Sequence, residues 1–537
     1  MMSTDLQQEL QTEVSKRRTF AIISHPDAGK TTLTEKLLLF GGAIRLAGTV
    51  KARKASKHAT SDWMEIEKQR GISVTSSVLQ FSYLDHQINI LDTPGHQDFS
   101  EDTYRTLTAA DSAVMLIDVA KGVEAQTKKL FQVCRMRGIP IFTFINKLDR
   151  EGQNPFDVLD EIEQVLGIRS YPMNWPIGSG KQFCGVYDRV SSQLELFKSD
   201  EDHREIDVRP VSGYDDPLVE QIAGEYLAGK LAEDMELLEI AGDPFDFEKV
   251  RQGELTPVFF GSAINNFGLQ TFLEHFLKLA PTPTSRQSSQ GEVRPTDEKF
   301  SGFIFKIQAN MNPAHRDRIA FLRICSGKFE RGMGVRHVRA GKDIKLAQPQ
   351  QFMAQDRNIV DTAYPGDIIG LFDPGIFQIG DTLVQGGNLE FHELPTFSPE
   401  LFAKVSIKNA LKYKQYQKGL AQLTEEGTIQ VFTTAGVFDD TILGGVGELQ
   451  FEVFEYRMRV EYGVDIQLQR LSFQLARWVV AGGTDKIDAK NFRINSLLVK
   501  DRFEQYVGLF DNDYALRMMQ EKLADSTFHE TAPRVSS

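Results

Sequence analysis

The sequence predicts three parts in order: an α/β domain on a mostly parallel sheet, a β-barrel domain, and an α+β C-terminal domain. Three observations carry this. Over residues 1–280, short apolar runs alternate with helix-like segments, the pattern of βα units whose ligands bind beyond the carboxyl ends of the strands. Past a Pro- and Ser-rich stretch at 281–296, which reads as a linker, residues 297–390 become short alternating strands broken by Gly turns. That is the signature of a compact barrel. Over 391–537 helix-like and strand-like segments mix again, without a βα rhythm.

The elements follow in chain order. Residues 19–24 (TFAIIS) form a short apolar strand that runs into His25-Pro-Asp-Ala-Gly29-Lys30, with a helix over 31–40 behind it. A strand over 87–91 ends at Asp92-Thr-Pro-Gly95, and 112–118 and 140–145 read as buried strands with polar ends. In the barrel, 303–307 and 319–324 are strands, with turns at Ser326-Gly327, Pro365-Gly366 and Pro374-Gly375. In the last part 401–407 and 464–468 are strand-like, and 411–424 and 446–456 helix-like.

Composition narrows the function classes. The chain has 537 residues, 41% hydrophobic and 25% charged, which suits packed globular domains and excludes wholesale disorder. The apolar run 112–117 meets Asp118, and no segment approaches the roughly 18 residues of a membrane span. No membrane association is expected, and the N-terminus lacks a signal-peptide pattern. The cysteines Cys134, Cys184 and Cys325 show no CxxC spacing, which fits a reducing, cytoplasmic setting and neither a disulfide nor a zinc framework. A formal charge of −13 argues against coating nucleic acid by charge alone. Against that background the stretch 401–424 carries Lys404, Lys408, Lys412, Lys414 and Lys418 and no acid. It is a candidate ribosomal-RNA contact or a solvated helix face.

Four motifs carry chemistry. Ser24-His25-Pro26-Asp27-Ala28-Gly29-Lys30-Thr31 fits the G-x-x-x-x-G-K-[ST] phosphate loop with Ser24 in place of the first Gly. Its backbone N–H groups would face a β-phosphate, Lys30 would bridge phosphates, and the Thr31 hydroxyl would hold Mg²⁺. Asp92-Thr-Pro-Gly95-His96 places a carboxylate where it reaches the Mg²⁺ shell and a glycine N–H that senses a γ-phosphate. Asn146-Lys147-Leu-Asp149 follows a strand, and Asp149 would accept the two N–H groups of guanine. Gly261-Ser262-Ala263 would offer amides to the base oxygen. Singly, the second and third are common turns and the fourth means almost nothing. Together, in this order and each at a strand end, they specify a P-loop GTPase domain that binds GTP/GDP.

These residues, with Thr32 and Arg70-Gly-Ile-Ser73, resemble the translational GTPases. Residues 324–332 (ICSGKFERG) and 364–368 (YPGDI) resemble the barrel of that family, and 443–450 (LGGVGELQ) resembles the third domain of elongation factor G. The long stretch from Asp149 to Ser262 implies an inserted subdomain at about 171–247, while only one module follows the barrel. The resemblance implies that Thr31 and Ser73 ligate Mg²⁺ with Asp92 in its outer shell. It implies that Ser24, His25, Pro26, Asp27, Ala28, Gly29, Lys30, Thr31 and Thr32 line the phosphates. Asn146, Lys147 and Asp149 take the base, with Ser262 and Ala263 behind it. Lys30, Gly95 and His96 are the catalytic set: Lys30 neutralises charge, Gly95 reports the γ-phosphate, and His96 orients the attacking water. The implied partners are the ribosome (ribosomal RNA and proteins of the large subunit) and the class I release factors. The expected function is a ribosome-dependent GTPase that promotes dissociation and recycling of those factors after termination, working as a cytoplasmic monomer. The alternatives are another elongation-factor-G-like ribosomal GTPase and a GTP-dependent scaffold with vestigial hydrolysis.

Overall fold

A computed structural model describes residues 2–40, 75–196, 207–309, 318–346, 349–353, 356–391, 397–435, 440–492 and 495–533. The first domain is built on a seven-stranded sheet. Its strands are β1 (Arg17–Ser24), β2 (Ser77–Tyr83), β3 (His86–Asp92), β4 (Ser112–Asp118), β5 (Ile141–Asn146), β6 (Arg169–Pro172) and the strand Leu255–Phe260. The order is β2-β3-β1-β4-β5-(Leu255–Phe260)-β6, parallel throughout except for the antiparallel β2–β3 pair. β1, β4, β5 and Leu255–Phe260 are buried along their whole length. Strands covered on both faces need apolar residues at successive positions, which is why these runs stand out in the sequence. The helix Lys30–Phe40 starts directly after the phosphate-loop turn and buries Leu33, Leu37 and Leu38 against the sheet.

The insertion between β6 and Leu255–Phe260 is a four-stranded antiparallel sheet, Asn174–Ile177, Gly185–Asp188, Gln193–Leu196 and Asp207–Pro210, joined by helices Pro217–Ala223 and Glu225–Ala241. Polar contacts fix it to the main sheet. Asn174 donates to Phe260 O at 3.0 Å and accepts from Phe260 N at 2.7 Å. Glu195 accepts from Gly268 N at 2.9 Å and from the Thr271 hydroxyl, and His275 Nε2 lies 2.8 Å from Asp188. Burial pushes the Glu195 carboxyl up to about 7, because its two hydrogen bonds replace only part of its hydration.

Residues 281–296 are ordered against the first domain. Arg286–Ser288 pairs with Gly291–Val293, and Asp111 accepts from Thr284 N (3.1 Å), Thr284 Oγ1 (3.0 Å) and Arg286 Nη2 (3.1 Å). Composition marks such a stretch as a linker; side chains rooted in distant residues hold it in place. The next part is an antiparallel eight-stranded sheet around the long pair Ser301–Ala309 and Arg318–Ser326, with a core of Ile304, Leu322, Ile324 and Leu383. It docks on the first domain through Arg17–Asp367 (2.8 Å), Gln80 to Ile368 O (2.9 Å) and the fully buried pair Arg323–Asp111. The last part is an eight-stranded sheet with helices Tyr413–Glu425, Glu448–Tyr462 and Asp513–Lys522. Both of its longer helices run past the ends read from the apolar pattern, to Glu425 and Tyr462. Arg457, 1% exposed, bonds Glu426 and Glu461 inside it.

A candidate guanine-nucleotide site at the strand ends

The site is assembled by the carboxyl ends of β1, β3, β5 and Leu255–Phe260. After β1 the chain turns through Asp27 (φ 66°) and Gly29 (φ 99°), and Leu33 N returns to Gly29 O as the helix Lys30–Phe40 begins. Gly29 is required twice over. A Cβ there would adopt a conformation L-residues avoid and would lie 2.4 Å from Asn146 Nδ2. The backbone is thereby free to approach a phosphate, with the helix N-terminus behind it.

Lys30 is buried, and its ammonium pairs with Asp92 at the end of β3. Thr93 Oγ1 donates to Ile22 O at 2.7 Å, tying the start of Pro94-Gly95-His96 to β1. A Cβ on Gly95 would meet Pro26 Cα at 3.6 Å, so the two loops touch. His96 opens the short turn Gln97–Phe99, with a third of its side chain exposed.

On the base side, Asn146 spans the loops. Its Nδ2 donates to Ala28 O at 2.9 Å and its Oδ1 accepts from Ala263 N at 2.8 Å. Lys147 sits at φ 72° and its ammonium reaches Asp27 O (2.5 Å) and Asp118 Oδ2 (2.8 Å). Burial alone would raise Asp118. The Lys147 and Ala120 hydrogen bonds outweigh it and hold this carboxyl below the usual range. Ser262 Oγ donates to Asp149 Oδ1 at 2.5 Å, orienting the carboxylate proposed for the base.

A cavity of about 330 Å³ joins these groups. Its wall includes Ser24, His25, Pro26, Asp27, Gly29, Lys30, Thr31, Thr32, Gly95, His96, Asn146, Lys147 and Asp149. Ala28, Asp92, Ser262 and Ala263 stand one contact behind that wall, bonded to residues in it. Ser73, with Arg70-Gly-Ile, lies outside the described residues. Four participants had no motif to announce them. Asp118 pairs in register with Asn146 across β4 and β5 and holds Lys147; its one signal was a strand end beside the base motif. Glu124 meets His25 Nε2 at 3.2 Å, and Arg150 and Ile264 line the cavity.

Comparison with known proteins follows the same layout. Residues 15–282 match the Elongation factor Tu GTP binding domain, 299–386 match Elongation factor G domain 2, and 391–520 match the Class II release factor RF3, C-terminal domain. The chain is 62% identical over 522 residues to Peptide chain release factor 3 of Symbiobacterium thermophilum, spanning 97% of this chain and 98% of that one. The chain belongs to the peptide chain release factor 3 family. It is 58% identical over 523 residues to the Listeria monocytogenes serotype 4b member, covering 97% of this chain and 99% of the relative. A solved crystal structure from Thermus thermophilus shares the fold, with a TM-score of 0.68 at 23% identity over 91% of this chain and 72% of that one. Membership makes the protein a translational GTPase that binds guanine nucleotide and hydrolyses GTP.

Proposed function

We propose that this GTPase is switched on by the ribosome and, in its GTP form, promotes the departure and recycling of class I release factors once the peptide has been freed. Contact would be with ribosomal RNA and proteins of the large subunit. Termination takes place in the cytoplasm, so the reading is of a cytoplasmic protein, acting as a monomer. The observation that carries it is the meeting of the base clamp, the phosphate loop and His96 on one cavity wall.

Hydrolysis transfers the γ-phosphoryl group to water, which demands in-line positioning and charge neutralisation more than covalent chemistry. Asp149 accepts the N1–H and exocyclic N–H of guanine while Ser262 steadies it. Asn146 locks the base loop to the phosphate loop. Lys30 leaves Asp92 to meet the β- and γ-oxygens, and Gly95 N–H reports the γ-phosphate. His96 holds the water for attack on the γ-phosphorus; the bond to the bridging oxygen breaks and GDP and phosphate leave. The hard oxygen donors at this end, the Asp92 carboxylate and the Thr31 hydroxyl, suit Mg²⁺, and Ser73 would complete the protein's share. When bound, Mg²⁺ supplies further neutralisation of the phosphate oxygens. With the ribosome absent the His96 turn is not pressed onto the substrate, and hydrolysis is slow.

The basic stretch enters this reading in reduced form. Lys404 is paired with Asp440 at 2.7 Å and Lys412 bonds Gly463 O, whereas Lys408, Lys414 and Lys418 are exposed beside exposed Leu411 and Tyr413. These three are the residues proposed to approach ribosomal RNA. GTP hydrolysis with and without ribosomes, followed by release-factor recycling from terminated complexes, tests the proposal. No ribosomal stimulation, or stimulation without recycling, overturns it.

A further inference from the structure

Asp98 ties the His96 turn to the last module. It is 6% exposed. Its Oδ2 accepts from Leu449 N at 2.9 Å, capping the first turn of helix Glu448–Tyr462 from 351 residues away. Its Oδ1 lies 3.2 Å from His96 Nδ1. A second observation points to the same contact. Gly447 has ordinary extended backbone (φ −146°, ψ 168°), yet a Cβ there would lie 2.0 Å from Asp98 Cγ. Glycine is needed at 447 because the carboxylate packs onto it, not for its conformation.

Two groups compete for His96 Nδ1. The Asp98 amide, 3.3 Å away, would donate to it and leave the ring proton on Nε2. The Asp98 carboxylate draws the proton to Nδ1 and leaves Nε2 an acceptor. We infer that Asp98 is a positioning residue for His96: docked under helix Glu448–Tyr462, its carboxylate selects the Nδ1–H tautomer, so that Nε2 accepts a hydrogen bond from the attacking water. The placement of the last module is thereby read directly at the hydrolytic histidine. If that module moves, the buried carboxylate loses its amide donor and its hold on the ring. The inference rests on the reading of His96 given above.

Asp98→Asn separates this from a purely structural role. Asparagine caps a helix about as well as aspartate. With its oxygen on Leu449 N–H, however, its NH₂ would donate to Nδ1 and fix the wrong tautomer. In single-turnover GTP hydrolysis by the full chain on ribosomes, Asp98→Asn is expected to lower kcat at least tenfold with KM and melting temperature unchanged. Added to His96→Ala it is expected to cost nothing more. Gly447→Ala, which displaces Asp98 from the other side, is expected to lower kcat in the same way. Parent-like kcat in Asp98→Asn or Gly447→Ala, with His96→Ala impaired, overturns the inference while leaving the role of His96 standing. So does a further tenfold fall when Asp98→Asn is added to His96→Ala. Parent-like hydrolysis by His96→Ala removes the underlying reading, and the inference with it.

Discussion

At the scale of single residues, the base clamp makes a sharp energetic claim. In the proposed site Asp149 carries the charge that guanine's two donors would meet, and a hydrogen bond to a charged group is worth about 1.5–3 kcal/mol. Asp149→Ala should therefore weaken GDP binding by roughly ten- to a hundredfold, read by fluorescent-nucleotide titration, and leave the fold intact because the side chain is at the cavity edge. Unchanged affinity would remove Asp149 from the base site. Gly29→Ala combines a strained φ with a 2.4 Å collision at Asn146. A cost of about 1–3 kcal/mol is expected from the backbone alone, with nucleotide affinity falling further as the loop shifts. These residues were legible because phosphate and guanine impose fixed residue types at fixed spacing. Asp118 and Asp98 were not: nothing local marks an aspartate as the holder of a lysine or of a distant helix.

At the scale of elements, the insertion is fastened to the helix Leu269–Leu279 by Glu195, and this has a pH signature. In the unfolded chain the Glu195 carboxyl has its ordinary value near 4.5; folded, burial holds it at about 7. Between those values the folded state keeps a proton that the unfolded state has lost, so raising the pH removes stability, and above about pH 7 no more is lost. The full effect is of the order of 3 kcal/mol. Thermal unfolding of Glu195→Gln should lose this decline between pH 5 and 7; an identical decline in parent and variant would assign it elsewhere. The strands of the main sheet were readable from sequence because two-sided burial writes unbroken apolar runs. Segments such as Asn174–Ile177 were not, since their short length and the Asn174 bonds to Phe260 leave no period to detect.

At the scale of the whole molecule, Asp111 joins the first domain to the barrel and to the hairpin at 286–293. It takes Arg323, Arg286 and Thr284 together, with Arg323 1% exposed. Removing one partner of a buried pair strands the other's charge, typically at a cost of about 3–5 kcal/mol. Asp111→Ala should lower stability by about that amount and admit protease at the barrel junction, and a variant as stable as the parent would show that the domains are held otherwise. Part order was legible in the changing period of the apolar residues. The docking was not, because its contacts join residues hundreds of positions apart, as Arg17 joins Asp367. The arrangement matters for function: the GTP site lies in the first domain, while the residue beside His96 is held by the last.

The central claim is that a ribosome-completed site hydrolyses GTP through His96. Single-turnover hydrolysis by parent and His96→Ala, with and without ribosomes, tests it most directly. Strong ribosomal stimulation of the parent is expected. His96→Ala should lose about a hundredfold or more of the stimulated rate, on the scale of removing one preorganised group, with GTP affinity retained. Equal stimulated rates in the two proteins would contradict it.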